Sequence, residues 1–93
     1  MITITVRFMS IARLRSGISV VKFSLHESKL RDALEQIADR YGIRDIIFAE
    51  NGDVRPWARV LVNGRSHDFV GGLDAELHDG DNVAIIYPYS ENF

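Results

Sequence analysis

The sequence predicts one two-layer α+β domain, in which a mixed sheet of four to five strands packs on one main helix. The chain has 93 residues, enough for a single domain over its whole length, residues 1–93, and for one core. Its first and last apolar runs have the period of two that is typical of strands. Between them a single apolar stripe recurs at helical spacing, and one amphipathic helix buries such a stripe against one sheet face.

The N-terminal region predicts a hairpin. Met1–Phe8 alternates apolar and polar residues and is rich in β-branched side chains, which indicates a half-buried strand. Ser10–Gly17 interrupts this alternation with arginines and a glycine, and we expect a loop there. Ile18–Leu25 returns to the period of two, so the two strands are expected to pair across a long connection.

The main helix follows. We expect Ser28 to be its N-cap, with the hydroxyl accepting a hydrogen bond from a free amide of the first turn. Gly42 is placed to end the helix in the left-handed conformation. The next stretch, Ile43–Glu50, fits either a short second helix or irregular packing, and Asn51-Gly52 closes it as a turn. The apolar stripe of the main helix consists of Leu30, Leu34, Ile37, Ala38 and Tyr41.

The second half of the chain predicts another hairpin. Trp57–Val62 is expected to be a strand, and Arg65–His67 a short return strand. Asn63-Gly64 between them is the residue pair typical of a type I′ hairpin turn. Turn-rich connectors then lead to the last strand.

Val83–Tyr87 is the predicted last strand. It is apolar on both faces, which indicates a central position with burial on both sides. We expect the strands that begin at Ile2 and Val83 to lie parallel in the centre of the sheet. This order of hairpin, helix, hairpin and final strand is that of the β-grasp fold.

With these elements assigned, the chain resembles the MoaD/ThiS family of ubiquitin-like sulfur carriers, which includes the small subunit of molybdopterin synthase. Each matching segment is weak alone, but their order and spacing are specific, and they cover nearly the whole chain. The segments are Val6-Arg7-Phe8, Leu14-Arg15, Leu30–Leu34, Arg55-Pro56, Val60–Gly64, Gly72–Asp74 and Leu77–Ile85.

The resemblance implies sulfur-carrier chemistry. Members of the family hold sulfur as a thiocarboxylate on a C-terminal glycine, after an E1-like enzyme has adenylated that carboxylate. Paired glycines suit this task because a tail without Cβ atoms approaches catalytic groups closely. In this sequence Glu91 and Asn92 occupy the glycine positions, and Phe93 follows. Their bulk, and a second carboxylate in a desolvated site, argue against carrier activity.

We therefore expect a docking protein, not an enzyme by itself, that is linked to molybdopterin or tungsten cofactor synthesis or to sulfur transfer. Two alternatives stay open. One is an active sulfur carrier that acts through a modified or processed C-terminus. The other is a structural module that self-associates into a homo-oligomer through a sheet edge or the tail.

The partner implied by the resemblance is a large molybdopterin synthase-like subunit or an E1-like activating enzyme. Family members present their sheet face to partners, so Arg59 on the third strand is a candidate contact, and a solvated face with local ion pairs is the equal alternative. The aromatic tail is either a set of interface anchors or packs back on the domain. The candidate partner-binding residues are Arg59, Tyr87, Pro88, Tyr89 and Phe93.

Composition argues against several other function classes. There is no cysteine, which excludes disulfides, thiolate metal sites and a cysteine nucleophile. The 11 basic and 13 acidic residues are mixed along the chain, which argues against a nucleic-acid partner. No apolar run is long enough for a membrane span and no signal peptide is visible, so we expect a cytoplasmic protein without a membrane partner.

No cofactor or metal is expected, because the three histidines lack the spacing of a metal site. Gly71-Gly72 is interpreted as a turn and not as a processing site. Cleavage after Gly72 would remove the predicted last strand, which the core needs.

Overall fold

The computed structural model describes residues 1–87 and has the predicted α+β architecture. Its sheet has the order β2-β1-β5-β3-β4, with β1 and β5 parallel at the centre and the other neighbours antiparallel. This is the β-grasp arrangement expected from the sequence. The elements are β1 (Ile2–Ser10), α1 (Ile11–Ser16), β2 (Val20–Leu25), α2 (Leu30–Tyr41), α3 (Arg44–Ile47), β3 (Arg59–Val62), β4 (Arg65–Ser66) and β5 (Asn82–Tyr87), with two 3-10 turns at His67–Phe69 and Gly72–Asp74.

The core lies between the sheet and α2. Alternate residues of the strands point toward the helix, and Ile4, Val6 and Ile85 are buried there. The apolar stripe of α2 covers this face, and its buried members are Leu30, Ala33, Leu34, Ile37 and Ala38. At the end of α2, Gly42 has φ 66° and donates its amide to the carbonyl oxygen of Ala38, so the predicted left-handed end is confirmed.

The predicted turn of the second hairpin is confirmed. Asn63 and Gly64 have φ 51° and 83°, the positive values that a type I′ turn requires at both positions. Strand β3 begins at Arg59 and not at Trp57, and β4 ends at Ser66, because His67 belongs to a 3-10 turn. The ambiguous stretch after Gly42 contains α3, which buries Ile46 and Ile47.

The expected loop over Ser10–Gly17 is wrong, because most of it is helix α1. The arginines there do break the strand pattern, but Ile11, Ala12 and Leu14 favour a helix, and Ala12 is buried. Gly17, with φ 81°, ends the helix in the left-handed conformation.

Ser28 is not the N-cap of α2, since Lys29 holds that position without a side-chain cap. The Ser28 hydroxyl instead donates to Glu76 Oε2 at 2.7 Å. The first amide of the helix, at Leu30, donates to the carbonyl oxygen of Ala75 at 2.9 Å. A distant segment of the chain therefore satisfies the group that a local cap was expected to satisfy.

The central position of β5 is confirmed, but its burial on both sides is not. Val83 and Ile85 are buried against α2, whereas Ala84 and Ile86 on the other face are only half-buried. The reason is that no helix among residues 1–87 covers that second face. None of the described helices is long and apolar enough to cross a membrane.

Candidate functional site

The sheet face opposite α2, which we call the open face, is the candidate site. Since strand side chains alternate, the strand register fixes which residues share this face. They form four rows across the sheet. Beginning at the end of β5, the rows are Met9, Ile86 and Arg59; then Val20, Arg7, Ala84, Leu61 and Ser66; then Lys22, Thr5 and Asn82; and last Ser24 and Thr3.

The open face is divided into an apolar and a polar half. The two rows nearest the end of β5 contain all five apolar residues of the face, and we call these the apolar patch: Met9, Val20, Leu61, Ala84 and Ile86. Met9 and Val20 are 46% and 47% exposed. The other two rows consist of serine, threonine, asparagine and lysine. The apolar patch therefore lies at the end of the sheet where the chain continues from Tyr87 into residues 88–93.

Two arginines lie within the apolar patch. Arg59 pairs with Ile86 in the register of β3 and β5, and Arg7 lies between Val20 and Ala84. Arg59 Nη1 donates to the carbonyl oxygens of Pro56 and Ala58, at 3.1 and 3.4 Å. Within residues 1–87, neither arginine forms an ion pair with a carboxylate. The described residues thus place Arg59 on an exposed face without a local ion pair, and its role as a partner contact stays a prediction.

Tyr87 lies at the end of β5 with its ring on the α2 side of the sheet. The residue is 8% exposed, and its hydroxyl accepts a hydrogen bond from Trp57 Nε1 at 2.7 Å. Tyr87 thus packs back on the domain, which was one of the two interpretations of the tail aromatics. The other predicted contacts, Pro88, Tyr89 and Phe93, lie outside the described residues, so their role stays a prediction.

Helix α1 flanks the apolar patch and is fixed to the helical layer. Both Nη atoms of Arg15 donate to the carboxylate of Asp45 in α3, at 3.0 and 2.9 Å. These charge-assisted hydrogen bonds hold the pKa of Asp45 below its usual range. The neighbouring Leu14 is among the most exposed apolar residues described.

A cleft of about 710 Å³ lies beside β3, between the start of α2, residues 53–56 and the 3-10 turns, and Arg59 is one of its lining residues. Arginines and aspartates line it together, so their charges compensate and the cleft has no strong preference for one sign. Gly71 and Gly72 lie in a turn beside it, with φ 115° and 66°. The interpretation of this pair as a turn is confirmed.

Sequence reasoning proposed Arg59 as a candidate contact, which stays a prediction, but did not find the apolar patch. A usable signal was present, because Met9, Val20 and Ile86 occupy strand positions whose alternate neighbours form the core. Apolar residues at such positions are either buried by a second layer or exposed as a contact surface.

A model of the ThiS family matches residues 6–90 of this chain. Among curated proteins, ubiquitin-related modifier 1 from Coprinopsis cinerea is 46% identical over 43 residues, which are 46% of this chain and 35% of that protein. A putative sulfur carrier protein from Archaeoglobus fulgidus is 35% identical over 40 residues, 43% of this chain and 46% of that protein. The matches thus span less than half the length of these relatives.

Solved structures share the whole fold. Small archaeal modifier protein 1 from Haloferax volcanii has a TM-score of 0.82 at 18% identity, and the match covers 96% of this chain and 100% of that one. A putative molybdopterin converting factor, subunit 1, from Pyrococcus furiosus has a TM-score of 0.72 at 24% identity, covering 96% of this chain and 100% of that one. At these identities the similarity demonstrates the ubiquitin-like β-grasp fold.

Proposed function

The chain belongs to the ThiS family of ubiquitin-fold sulfur carriers, and from this we propose that it is a non-carrier docking protein of molybdopterin or tungsten cofactor synthesis or of sulfur transfer. It contributes a binding surface to a partner enzyme and no catalytic group of its own. The observation that carries the proposal is the apolar patch beside the end of β5. An exposed apolar patch with few charges is typical of a protein-protein contact surface.

The argument against carrier activity comes from the residues at the glycine positions. A carrier tail must bring its last carbonyl close to catalytic groups, and glycine permits this because it lacks a Cβ atom. Glu91 and Asn92 occupy those positions in this chain. The carboxylate of Glu91 also places a second negative charge beside the group to be adenylated, which is costly where water is excluded.

The proposed contact surface is the open face together with the tail. Arg59 contributes a partner contact from within the apolar patch. Pro88, Tyr89 and Phe93 contribute further contacts from the tail. Tyr87 contributes mainly as the buried base of this tail, since its hydrogen bond to Trp57 anchors the end of β5. The proposed partner is a large molybdopterin synthase-like subunit or an E1-like activating enzyme.

The experiment is an activation assay with a purified E1-like enzyme and ATP. We expect the full chain to bind the enzyme in a calorimeter and to form no acyl-adenylate by mass spectrometry. The matched variant carries Glu91→Gly and Asn92→Gly and stops at position 92. It restores the slender tail, and we expect it to be adenylated.

Two outcomes would contradict the proposal. The first is an acyl-adenylate on the unmodified chain. The second is protein isolated from cells whose mass shows sulfur in place of oxygen at the terminal carboxyl group. Either result would favour the alternative of an active carrier, which is also consistent with the relative described as a sulfur carrier. Serial truncation of residues 88–93, assayed for sulfur transfer, would then identify the C-terminal residue that carries the sulfur.

A further inference from the structure

We infer that the open face binds a protein surface that is apolar at its centre and carries carboxylates opposite Arg7, Arg59 and Lys22. This inference rests on the proposed docking function and specifies the chemistry of the partner. Three observations support it. They are where the charged residues lie in the fold, which cations form ion pairs with carboxylates, and how the cations of the open face lie relative to the apolar patch.

The strands described in residues 1–87 contain no acidic residue. None of the residues in the five strands is Asp or Glu, although the chain has 13 acidic residues in all. The acidic residues among positions 1–87 lie in the helices, turns and loops. A chain with a net charge of −2 therefore presents a purely cationic open face. Such a separation of charge orients an approaching partner.

Two of the arginines in the helices, Arg15 and Arg44, form ion pairs with carboxylates within residues 1–87, and the cations of the open face form none there. Arg44 contacts Glu35 at 2.6 Å and Asp39 at 2.9 Å, and Arg15 contacts Asp45 at 2.9 Å. No such contact to a carboxylate is formed by Arg7, Lys22 or Arg59 in the part of the chain that the structure describes. Among the described residues, the guanidinium of Arg59 donates only to backbone carbonyl oxygens. These cations remain available for carboxylates from outside.

The position of Arg7 and Arg59 within the apolar patch would strengthen their ion pairs with carboxylates of a partner. Arg7 has Val20 and Ala84 as its row neighbours, and Arg59 has Ile86. A partner that covers these apolar side chains excludes water around the guanidinium groups. Lower local polarity strengthens an ion pair and raises the cost of leaving an arginine unpaired. A partner that supplied apolar contacts but no carboxylate would therefore bind less tightly, because it would leave the arginines desolvated and unpaired.

The same features favour protein over nucleic acid. The strand residues that form the open face within residues 1–87 include no aromatic side chain on which bases would stack, and their apolar members cannot form ion pairs or hydrogen bonds with phosphates. Three cations, one in each of three rows, also form a sparse electrostatic surface for a polyanion.

The first test needs no natural partner. The full chain, labelled with ¹⁵N, is titrated with three probes: a short peptide of leucines and glutamates, the same peptide with lysines for glutamates, and a single-stranded oligothymidylate. We expect the acidic peptide alone to shift the amides of Met9, Val20 and Ile86, and the shifts to shrink at high salt. Equal shifts from the lysine peptide, or shifts outside the open face, would overturn the inference. So would shifts from the oligonucleotide that match those from the acidic peptide.

The second test uses the E1-like enzyme of the activation assay. We expect Arg7→Glu to weaken its binding by about tenfold or more, because a favourable pair becomes a repulsion. The matched control is Arg31→Glu, the same charge change at an exposed position of α2, and it should leave the affinity within about twofold. If Arg7→Glu behaves like the control, the inference fails while the docking function stands. If the wild-type chain does not bind the enzyme and the acidic peptide still maps to the open face, the proposed function fails and the inference stands.

Discussion

Replacing Tyr87 by phenylalanine tests how the end of β5 is held. The substitution keeps the buried ring and removes only the hydroxyl that accepts the 2.7 Å hydrogen bond from Trp57 Nε1. A hydrogen bond of this kind contributes about 0.5–1.5 kcal/mol net. Trp57 is 41% exposed, so water can solvate its indole once the hydroxyl is gone. We therefore expect a loss of about 0.5–1 kcal/mol in the free energy of unfolding.

The ring of Tyr87 should matter more than its hydroxyl. The residue is 8% exposed, so Tyr87→Ala removes a buried aromatic group and leaves a cavity. Comparable truncations cost about 3–5 kcal/mol. For a domain of this size, 1 kcal/mol corresponds to a shift of about 4–8 °C in Tm. The two variants should therefore be well separated in a thermal melt.

Urea unfolding, followed by circular dichroism, measures both free energies. A double-mutant cycle with Trp57→Phe isolates the hydrogen bond from other interactions of the indole, and we expect a coupling of about 0.5–1 kcal/mol. Perfect additivity of the two substitutions would refute the reasoning. A loss for Tyr87→Phe as large as that for Tyr87→Ala would also refute it, because the hydroxyl would then hold the strand and not the ring.

Three further predictions concern the rest of the fold. Arg15→Gln should lower the free energy of unfolding by at most about 1 kcal/mol at neutral pH, since Arg15 and Asp45 are 44% and 60% exposed. Because Arg15 lowers the folded-state pKa of Asp45, this contribution is present above the unfolded pKa of about 3.9 and is lost as pH falls through the folded pKa. Urea titrations of both proteins should thus converge in acid, and a constant difference would contradict the assignment. Gly71→Ala should cost about 1–3 kcal/mol in the same assay, because φ is 115° and the new Cβ would lie 3.3 Å from Ala75 Cα. Gly52→Ala is the comparison, since φ is 89° but no atom lies within 4 Å, and an equal loss at both positions would show that crowding at Ala75 is unimportant. Leu34→Ala, at the centre of the buried stripe of α2, should cost about 2–5 kcal/mol, and a loss below 1 kcal/mol would show that α2 is not packed as described.

Local patterns predicted those parts of the fold whose physics is local. The stripe of α2 and its glycine end depend on residues within one helix. The turn at Asn63-Gly64 depends on two residues that both accept positive φ. The parallel pairing of β1 with β5 is not local, and it was predicted from the order of elements and the apolar character of both strands.

Two predictions from local sequence patterns were wrong. Ser28 was expected to cap α2, but its hydroxyl binds Glu76, which is 48 positions away in sequence. The rule for caps was applied correctly, and a tertiary partner competed for the same side chain. Helix α1 was missed because broken alternation was interpreted as a loop, although the residues that broke it form a helix with one buried alanine.

The error at β5 is informative about function. Ala84 and Ile86 indicated a strand buried on both sides, yet no described element covers them, and Met9 and Val20 continue the same exposed apolar surface. The fold of residues 1–87 obtains its core from the other face, so these side chains contribute little to it. Burying them gains about 25 cal/mol for each Å² of apolar surface removed from water, and in the proposed function a partner would provide that burial. The apolar pattern that overestimated the core is therefore the part of the sequence on which the proposed docking depends.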